Sequence, residues 1–320
     1  MSNSKIIRSI EHYNEAVKYE NSKNFKFAEN LYFKAIQNNP SFFQAYYNLA
    51  NIKKNKLELK EAVIFYEKTI ELKSNFIYAY NNLGSVLKDL GQIEKAEQNF
   101  KKALKLNPNF GEAKKNLNSI FEIKKLVSIV KPNKTSKNHL NLISNINTFQ
   151  MSRNVETELI NELYNIRTEE LGRTSFLNDA RFGHGYCSNF KLFDISSQPI
   201  KKIKEDLTTI MQEAVKSEIY IKESFFNILR SGSGTHKHNH ISTFDRNFGY
   251  ENQKFSLTYY LSVGDQKASE PGVLKLYDPE KQFLPTDGLL LIFPAYQLHS
   301  AIYNGEKDRI MIGVNFYSLK

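Results

Sequence analysis

The stretch FQAYYNLANIKKNKLELKEAVIFYEKTIELKSNF (residues 43–76) is followed directly by IYAYNNLGSVLKDLGQIEKAEQNFKKALKLNPNF (residues 77–110), and the two are in register at a spacing of 34 residues. Residues 9–42 continue the same spacing towards the N-terminus. Four columns carry the register: small residues, aromatics, a second small column and residues that end helices. Their members are Ala28, Ala62 and Ala96; Tyr32, Tyr66 and Phe100; Ala35, Thr69 and Ala103; and Pro40, Ser74 and Pro108.

Each unit of this repeat is typical of two antiparallel helices. Small residues let the helices approach closely, the aromatic residues fill the space between them, and proline ends the second helix. The segment from Glu112 to about Val127 predicts one more helix, which caps the array. We therefore predict an all-α N-terminal solenoid over residues 1–128, built from units 9–42, 43–76 and 77–110 and this capping helix.

The repeat resembles the tetratricopeptide repeat (TPR) family, which implies a concave groove for a peptide or protein partner. A polar column follows the same spacing, and the resemblance places it on the groove side: Asn14, Asn48, Asn82 and Asn116. Each side-chain amide carries a donor and an acceptor, so such a ladder is able to pair with the peptide groups of an extended partner. The alternative is that asparagine is simply frequent at this position of such repeats.

Composition limits the remaining possibilities. The chain has 320 residues, 41% of them hydrophobic, with a mean hydropathy of −0.50, values typical of a soluble protein of about two domains. The longest apolar run is the five residues 289–293 and the N-terminus lacks a secretory pattern, so we expect a cytoplasmic protein without membrane contact. A single cysteine, Cys187, excludes an internal disulfide and a cysteine-based metal site.

The net charge of +10 is concentrated in the repeats. Residues 1–130 hold 21 Lys and Arg against 13 Asp and Glu, whereas residues 131–320 hold 23 against 21. A basic surface is able to bind nucleic acid. However, the chain uses lysine and asparagine freely throughout, and this bias explains much of the excess. We therefore expect no nucleic-acid partner.

The polar residues 129–150 predict a linker between two domains. Helical patterns follow at 154–169 and 200–218. Beyond Tyr220 the pattern changes to alternating strands rich in β-branched and aromatic residues, which predicts a second domain over 151–320 with antiparallel sheets in a sandwich or jelly roll.

Histidines in this second domain are candidate metal ligands. In GTHKHNH (residues 234–240), alternation along a strand places His236, His238 and His240 on one face. Two of these imidazoles and a third from a distant strand, His299, make a facial site suited to Fe(II) with positions left open. The alternative is a solvent-exposed run of histidines without a metal.

The order of motifs over residues 222–319 resembles the Fe(II)/2-oxoglutarate-dependent dioxygenases, especially their prolyl-hydroxylase-like branch and microbial relatives fused to TPR arrays. The phrases that carry the resemblance are the histidine pair, YYLS, FPAYQLHSA and an arginine ten residues after the last histidine. The resemblance implies a double-stranded β-helix (jelly-roll) fold, with His238 and His299 as iron ligands. It also implies that Arg309 and Tyr260 hold the distal carboxylate of the cosubstrate 2-oxoglutarate, and that O₂ is consumed.

The third ligand is where the sequence departs from the family. The usual motif is His-x-Asp or His-x-Glu, but position 240 is histidine. Either His240 is the third ligand, or Asp245 supplies a carboxylate from the loop, or the site has lost this ligand and hydroxylase activity with it. Shifting the pair to His236 and His238 also gives His-x-His, but fits the preceding GSG spacing less well, so we favour His238 and His240.

The resemblances together predict an iron- and 2-oxoglutarate-dependent hydroxylase whose substrate is a peptide or protein held by the TPR groove. The rival hypothesis is a non-catalytic TPR adaptor whose second domain has a degenerate metal site. An intact Arg309 and Tyr260 favour the enzyme, because without 2-oxoglutarate these two residues have no clear task.

Overall fold

The computed structural model describes residues 3–130, 148–170 and 181–320. The chain divides into two units, Met1–Leu126 and Val127–Lys320, each with its own buried core. Most of the predicted linker, residues 131–147, lies outside the described residues, as do residues 171–180.

Antiparallel helices joined by short turns form the first unit, as the 34-residue repeat predicts. In chain order they are α1 (Asn3–Asn21), α2 (Phe25–Asn38), α3 (Phe43–Asn55), α4 (Leu59–Leu72), α5 (Ile77–Asp89), α6 (Ile93–Leu106) and the predicted capping helix α7 (Gly111–Ile129).

Three of the four repeated columns, the two small ones and the aromatic one, are fully buried in the core of this unit, whereas the column of Pro40, Ser74 and Pro108 is exposed. A Cβ added at Gly84 on α5 would lie 2.7 Å from the ring of Phe100 on α6, so the small residue is what permits the close contact of the two helices. Thr69 departs from the alanine of its column and is fully buried. Its hydroxyl donates a hydrogen bond to the carbonyl of Phe65 at 2.8 Å, which satisfies the buried polar group.

The second unit contains two antiparallel sheets among its described residues. The larger sheet has the strand order β1-β10-β7-β12-β5-β4-β2, and the smaller sheet has the order β3-β6-β11-β8-β9. The strands are β1 (Phe149–Ser152), β2 (Glu169–Glu170), β3 (Arg181–Phe182), β4 (Gly185–Cys187), β5 (Ile219–Leu229), β6 (Ser233–His238), β7 (Lys254–Ser262), β8 (Leu274–Tyr277), β9 (Glu280–Phe283), β10 (Leu289–Pro294), β11 (His299–Tyr303) and β12 (Arg309–Ser318).

Helices cover one face of the larger sheet. Apolar residues of α8 (Thr157–Asn165) and α9 (Gln198–Val215) pack on the side chains that β5, β7, β10 and β12 direct to that face. The alternating side chains of β5, β7 and β12 face the smaller sheet and line a cavity. The core on one face therefore holds the sheet rigid, and the other face is free to carry a site.

Local differences from the predicted elements have identifiable causes. The helix predicted over 154–169 is confined to Thr157–Asn165, because the chain becomes extended at Ile166 and Glu169–Glu170 pairs with β4. β1 begins at Phe149, inside the segment predicted as linker, and pairs with β10. A short helix that the sequence did not indicate, α10 (Thr243–Phe248), follows the histidine run.

Candidate metal centre

Three histidines meet at one end of the smaller sheet. His238 ends β6 and His299 begins β11, and the two residues are directly paired in the sheet. His240 follows two residues beyond the end of β6. One ring nitrogen of each histidine lies within 4.8 Å of those of the other two. The structure thus brings together the three histidines that the sequence singles out, at a spacing suited to one metal ion.

Hydrogen bonds orient two of these rings. Nδ1 of His238 lies 2.7 Å from the carbonyl oxygen of His236, and Nδ1 of His299 lies 3.0 Å from that of Gln297. A carbonyl oxygen only accepts, so Nδ1 carries the proton in each ring. Nε2 therefore keeps its lone pair, which is the arrangement that metal-binding histidines require.

Burial keeps two of these imidazoles, those of His299 and His240, neutral. It lowers the pKa of His299 to about 4, and the proximity of His238 adds to the effect. Burial also lowers the pKa of His240 well below its usual value, with further contributions from His299 and His238. Protons compete poorly for such ligands near neutral pH, so the donor set is ready for a divalent cation.

His236 does not join this cluster, contrary to the expectation of three imidazoles on one face. The pairing of β6 with β11 shifts register between His299 and Ala301, since His299 pairs with His238 but Ala301 pairs with Thr235. This bulge places one extra residue in β6 and breaks the alternation. His236 is consequently exposed and stacks on Phe182, with ring centroids 4.3 Å apart.

Asp245 is engaged elsewhere. It lies in α10, where its side chain and that of Ser242 form a capping box. Its Oδ2 also forms an ion pair with Lys254 at 2.9 Å, and its Oδ1 accepts a hydrogen bond from the Tyr317 hydroxyl. Both carboxylate oxygens are thus used in a buried network, and the cluster of possible metal ligands does not include Asp245.

The same buried network positions His240. Nζ of Lys254 donates to the carbonyl oxygen of His240 at 2.7 Å, and the backbone nitrogen of His240 donates to the carbonyl of Ala295 at 2.9 Å. These two bonds fix the backbone of a residue that lies outside β6. Sequence reasoning missed Lys254, although a lysine at the start of a strand with no other charged residue was a visible signal.

A cavity of about 650 Å³ adjoins the histidines and extends between the two sheets. Arg309 and Tyr260 line this cavity together with His238, His240 and His299, so the predicted metal ligands and the predicted cosubstrate residues share one space.

Arg309 is a buried cation without a counter-ion. Only 1% of its surface is exposed, and no described carboxylate pairs with it. Nη1 donates to the carbonyl of Pro271 at 2.9 Å, the guanidinium lies 4.9 Å from the ring centre of Tyr260, and Nε has no partner among the described residues. Because burying an unpaired charge is costly, the environment favours an anionic ligand.

Two neighbours complete the arginine pocket. Gly272 has φ of +82°, and a Cβ added there would lie 1.2 Å from Nη1 of Arg309, so only glycine leaves room for the guanidinium. Burial raises the pKa of Tyr260, so its hydroxyl keeps its proton and remains a donor.

The asparagine column lies in the helical unit, and three of its members use their amide groups within the array. Nδ2 of Asn48 donates to the hydroxyls of Tyr13 and Tyr32, at 3.3 Å and 3.0 Å. Nδ2 of Asn82 donates to Tyr47 and Asn51, and Nδ2 of Asn116 to Asn81. Asn14 is exposed. Both amide protons of Asn48 and of Asn82 are therefore occupied, and Oδ1 of Asn82 accepts a hydrogen bond from Nδ2 of Asn81 at 3.5 Å. The side-chain oxygen of Asn48 is what that residue offers to a partner.

Comparison with known families identifies the repeats. The family model described as tetratricopeptide repeat matches residues 77–110, and a second model of the same description matches residues 43–76. These are the second and third units predicted from the sequence, and their assignment as TPR repeats is confirmed. No described helix combines the length and apolar character needed to cross a membrane.

Solved structures similar to the chain include TPR domains from several organisms. The Arabidopsis OM64 TPR domain is 21% identical, with a TM-score of 0.36, over 37% of this chain and 98% of that domain. The second TPR domain of human RPAP3, solved with an HSP70 peptide, is 20% identical over 37% and 98%, with a TM-score of 0.36. The N-terminal domain of stress-induced protein-1 from C. elegans is 23% identical over 38% and 99%, with a TM-score of 0.35. No curated protein matches the chain.

Proposed function

We propose that the chain is an Fe(II)- and 2-oxoglutarate-dependent dioxygenase whose second unit is a double-stranded β-helix (jelly roll). One observation carries the proposal: Arg309, a buried arginine with no counter-ion among the described residues, lines the same cavity as three histidines. Each of these histidines has a ring nitrogen within 4.8 Å of those of the other two. A carboxylate-bearing cosubstrate that also binds the metal satisfies both halves of this arrangement at once.

The residues that line this cavity fit Fe(II) and 2-oxoglutarate. His238, His240 and His299 would hold Fe(II), which together with 2-oxoglutarate supplies the activation of O₂ for oxidation of a C–H bond, with release of succinate and CO₂. Arg309 binds the distal carboxylate, and the free Nε–H offers a donor beside Nη. The Tyr260 hydroxyl donates a hydrogen bond to the same carboxylate.

The third imidazole distinguishes this site from one with a carboxylate ligand. A centre of three neutral ligands carries one more positive charge, which favours anionic ligands on the metal. The ion pair of Asp245 with Lys254 keeps the nearest loop carboxylate away from the metal and supports His240 as the third ligand.

The TPR array is a protein-interaction module, and we propose that it holds the peptide or protein substrate. The side-chain oxygen of Asn48 would accept a hydrogen bond from a peptide N–H group of an extended segment, since its amide protons are already bound within the array. Oδ1 of Asn82 would accept a second hydrogen bond beside the one from Asn81.

The test is an anaerobic titration of the full-length protein with Fe(II) and 2-oxoglutarate, followed by measurement of succinate after O₂ is admitted. We expect one iron per chain and succinate formation. His238→Ala and His299→Ala should abolish stoichiometric iron binding with the fold retained. His236→Ala is the matched control, because His236 lies outside the cluster, and it should retain binding.

Arg309→Ala should weaken 2-oxoglutarate binding by roughly 2–4 kcal/mol, the loss typical of a buried charge-assisted pair. Arg309→Lys should recover only part of the affinity, because an ammonium does not reproduce the planar fork. Unchanged 2-oxoglutarate affinity in Arg309→Ala would show that 2-oxoglutarate does not bind in this cavity. Iron binding without any succinate would favour the non-catalytic adaptor instead.

A further inference from the structure

A second group of polar residues lines the cavity. Ser256 on β7, Asn315 on β12 and Glu223 on β5 are paired in register across three adjacent strands, and all three face the cavity. On the other side of Ser256, Phe293 of β10 continues the row, and its ring lies 5.0 Å from that of His299. The row thus extends from the histidine cluster to Glu223, about 14 Å between the backbones of its ends at normal strand spacing.

Hydrogen bonds hold the carboxylate of Glu223 in place. The Ser256 hydroxyl donates to Oδ1 of Asn315 at 2.8 Å, and Nδ2 of Asn315 donates to Oε2 of Glu223 at 2.9 Å. Asn315 is only 3% exposed, so this chain is rigid. Oε1 of Glu223 has no hydrogen-bond partner and no counter-ion among the described residues. The row therefore presents one oriented, unneutralised carboxylate oxygen to the cavity.

The two arginines that line the cavity contact groups other than this carboxylate. Arg309 precedes Asn315 by six residues on β12, about 20 Å along an extended strand. Arg181 donates to Asn227, and its guanidinium lies over the rings of Phe190 and Phe225, at 5.0 Å and 5.9 Å. The cavity is thus positively charged at Arg309 and negatively charged at Glu223. It therefore favours an anionic ligand group at Arg309 and a cationic ligand group at Glu223.

We propose that Glu223, oriented by Asn315 and Ser256, binds a primary ammonium group of the substrate. The proposal rests on the proposed function, because it takes the cavity as the place where substrate meets the metal. An ammonium fits better than a guanidinium, since Asn315 occupies Oε2 and leaves no pair of oxygens for a bidentate fork.

The separation of Glu223 from the histidines assigns this ammonium a recognition role. Glu223 lies three strands from Phe293, the residue of the row that contacts His299, so we assign the group bound at Glu223 to recognition and not to oxidation. A lysine side chain of a peptide and a free aliphatic diamine share the required chemistry, and the experiment separates them.

The test is isothermal titration of the full-length protein, without 2-oxoglutarate, with Gly/Ala peptides that carry one central lysine, acetyl-lysine or arginine, and with 1,4-diaminobutane. We expect the lysine peptide to bind about tenfold or more tightly than the acetyl-lysine peptide, with arginine weaker than lysine. Glu223→Gln should reduce the preference for lysine over acetyl-lysine to about threefold or less. Glu280→Gln, an exposed glutamate on β9, is the matched control and should retain the preference.

The proposal would be overturned if the wild-type chain bound lysine and acetyl-lysine peptides with equal affinity, or if it bound no amine probe. This outcome is measured on the wild type alone, so it does not depend on whether a variant folds. Diaminobutane binding as tightly as the lysine peptide would support the ammonium site and assign it to a free amine. Because no turnover is involved, a lysine preference in a protein that forms no succinate would contradict the oxygenase alone. Succinate formation without a lysine preference would contradict this subsite alone.

Discussion

Gly272 and Arg309 show how one backbone position controls a side chain 37 residues away in sequence. The guanidinium of Arg309 occupies the space where any larger residue at position 272 would place its Cβ, 1.2 Å from Nη1. The left-handed conformation at Gly272, with φ of +82°, turns the backbone so that the carbonyl of Pro271 accepts a hydrogen bond from the same guanidinium. The pocket for an anion is thus built from backbone geometry as much as from charge.

We predict that Gly272→Ala displaces the guanidinium and weakens 2-oxoglutarate binding at least as much as Arg309→Ala does, because the added methyl group overlaps Nη1. Anaerobic titration calorimetry measures the affinity. Gly232→Ala is the matched control, since Gly232 also has a positive φ, +78°, but no atom within 4 Å of an added Cβ. It should lose about 1 kcal/mol of stability from backbone strain alone and keep its affinity. Equal affinity in both variants would contradict the steric argument.

At the scale of elements, the segment between β6 and β7 is held to the sheet by a buried ion pair. Asp245 on α10 and Lys254 at the start of β7 are both buried, and Lys254 also binds the carbonyl of His240. The capping box with Ser242 fixes the start of α10. The position of the third histidine thus depends on two elements that carry no metal ligand themselves.

Lys254→Met should destabilise the protein by about 3–5 kcal/mol, because it leaves the Asp245 carboxylate buried without a counter-ion. Adding Asp245→Asn to this variant should restore part of the stability. It should not restore metal affinity, which we expect to fall about 10–100-fold once His240 loses its support. Denaturant unfolding and metal titration measure the two effects. Lys237→Met, at an exposed lysine beside His238, is the control. Normal metal affinity in the double variant would show that Lys254 stabilises the fold without positioning His240.

A fall in pH should weaken the ion pair between Asp245 and Lys254. Burial by itself would raise the pKa of Asp245, but Lys254, the Tyr317 hydroxyl and the backbone of Ser242 together lower it below its usual value. The folded state therefore binds this proton less readily than the unfolded state, whose pKa is about 3.9. The contribution to the free energy of unfolding is fully present above about pH 4 and is lost as the pH falls towards the folded pKa. The difference in unfolding free energy between wild type and Asp245→Asn should shrink below pH 4, and a constant difference would contradict this account.

At the scale of the whole molecule, the chain has two cores with different tasks. The helical unit has a core of alanines and tyrosines, and the β unit has a core between its larger sheet and the helices α8 and α9. The candidate metal centre and its cavity are lined only by residues of the β unit. The proposed function thus assigns partner binding and oxidation to separate units of one chain.

We predict two transitions in calorimetric unfolding of the full-length protein. A ligand stabilises only the unit that binds it, so Zn(II) with 2-oxoglutarate should raise the midpoint of one transition. Tyr66→Ala, which removes a fully buried ring from the array, should lower the midpoint of the other, at a cost of about 3 kcal/mol or more. A single transition that responds to both changes would show that the two units unfold together.

The sequence by itself determined the features that depend on near neighbours. The 34-residue columns predicted the helix pairs of the array, because each repeat packs mainly on the next and the register is present in the spacing of Ala62, Tyr66 and their equivalents. Strand alternation predicted most long strands of the second unit, and the distinctive residue types around His238, His299 and Arg309 singled out the candidate site. These signals are local or depend on residue chemistry alone.

Only the tertiary structure decided which candidates meet. A bulge in β6 turns His236 out of the cluster, an ion pair with Lys254 occupies Asp245, and the oriented carboxylate of Glu223 depends on a partner, Asn315, that is 92 residues distant. Pairing between distant strands is set by register and bulges, and a shift of one residue reverses the face on which every following side chain lies. No local pattern contains that information, because it is fixed by the packing of the complete sheets.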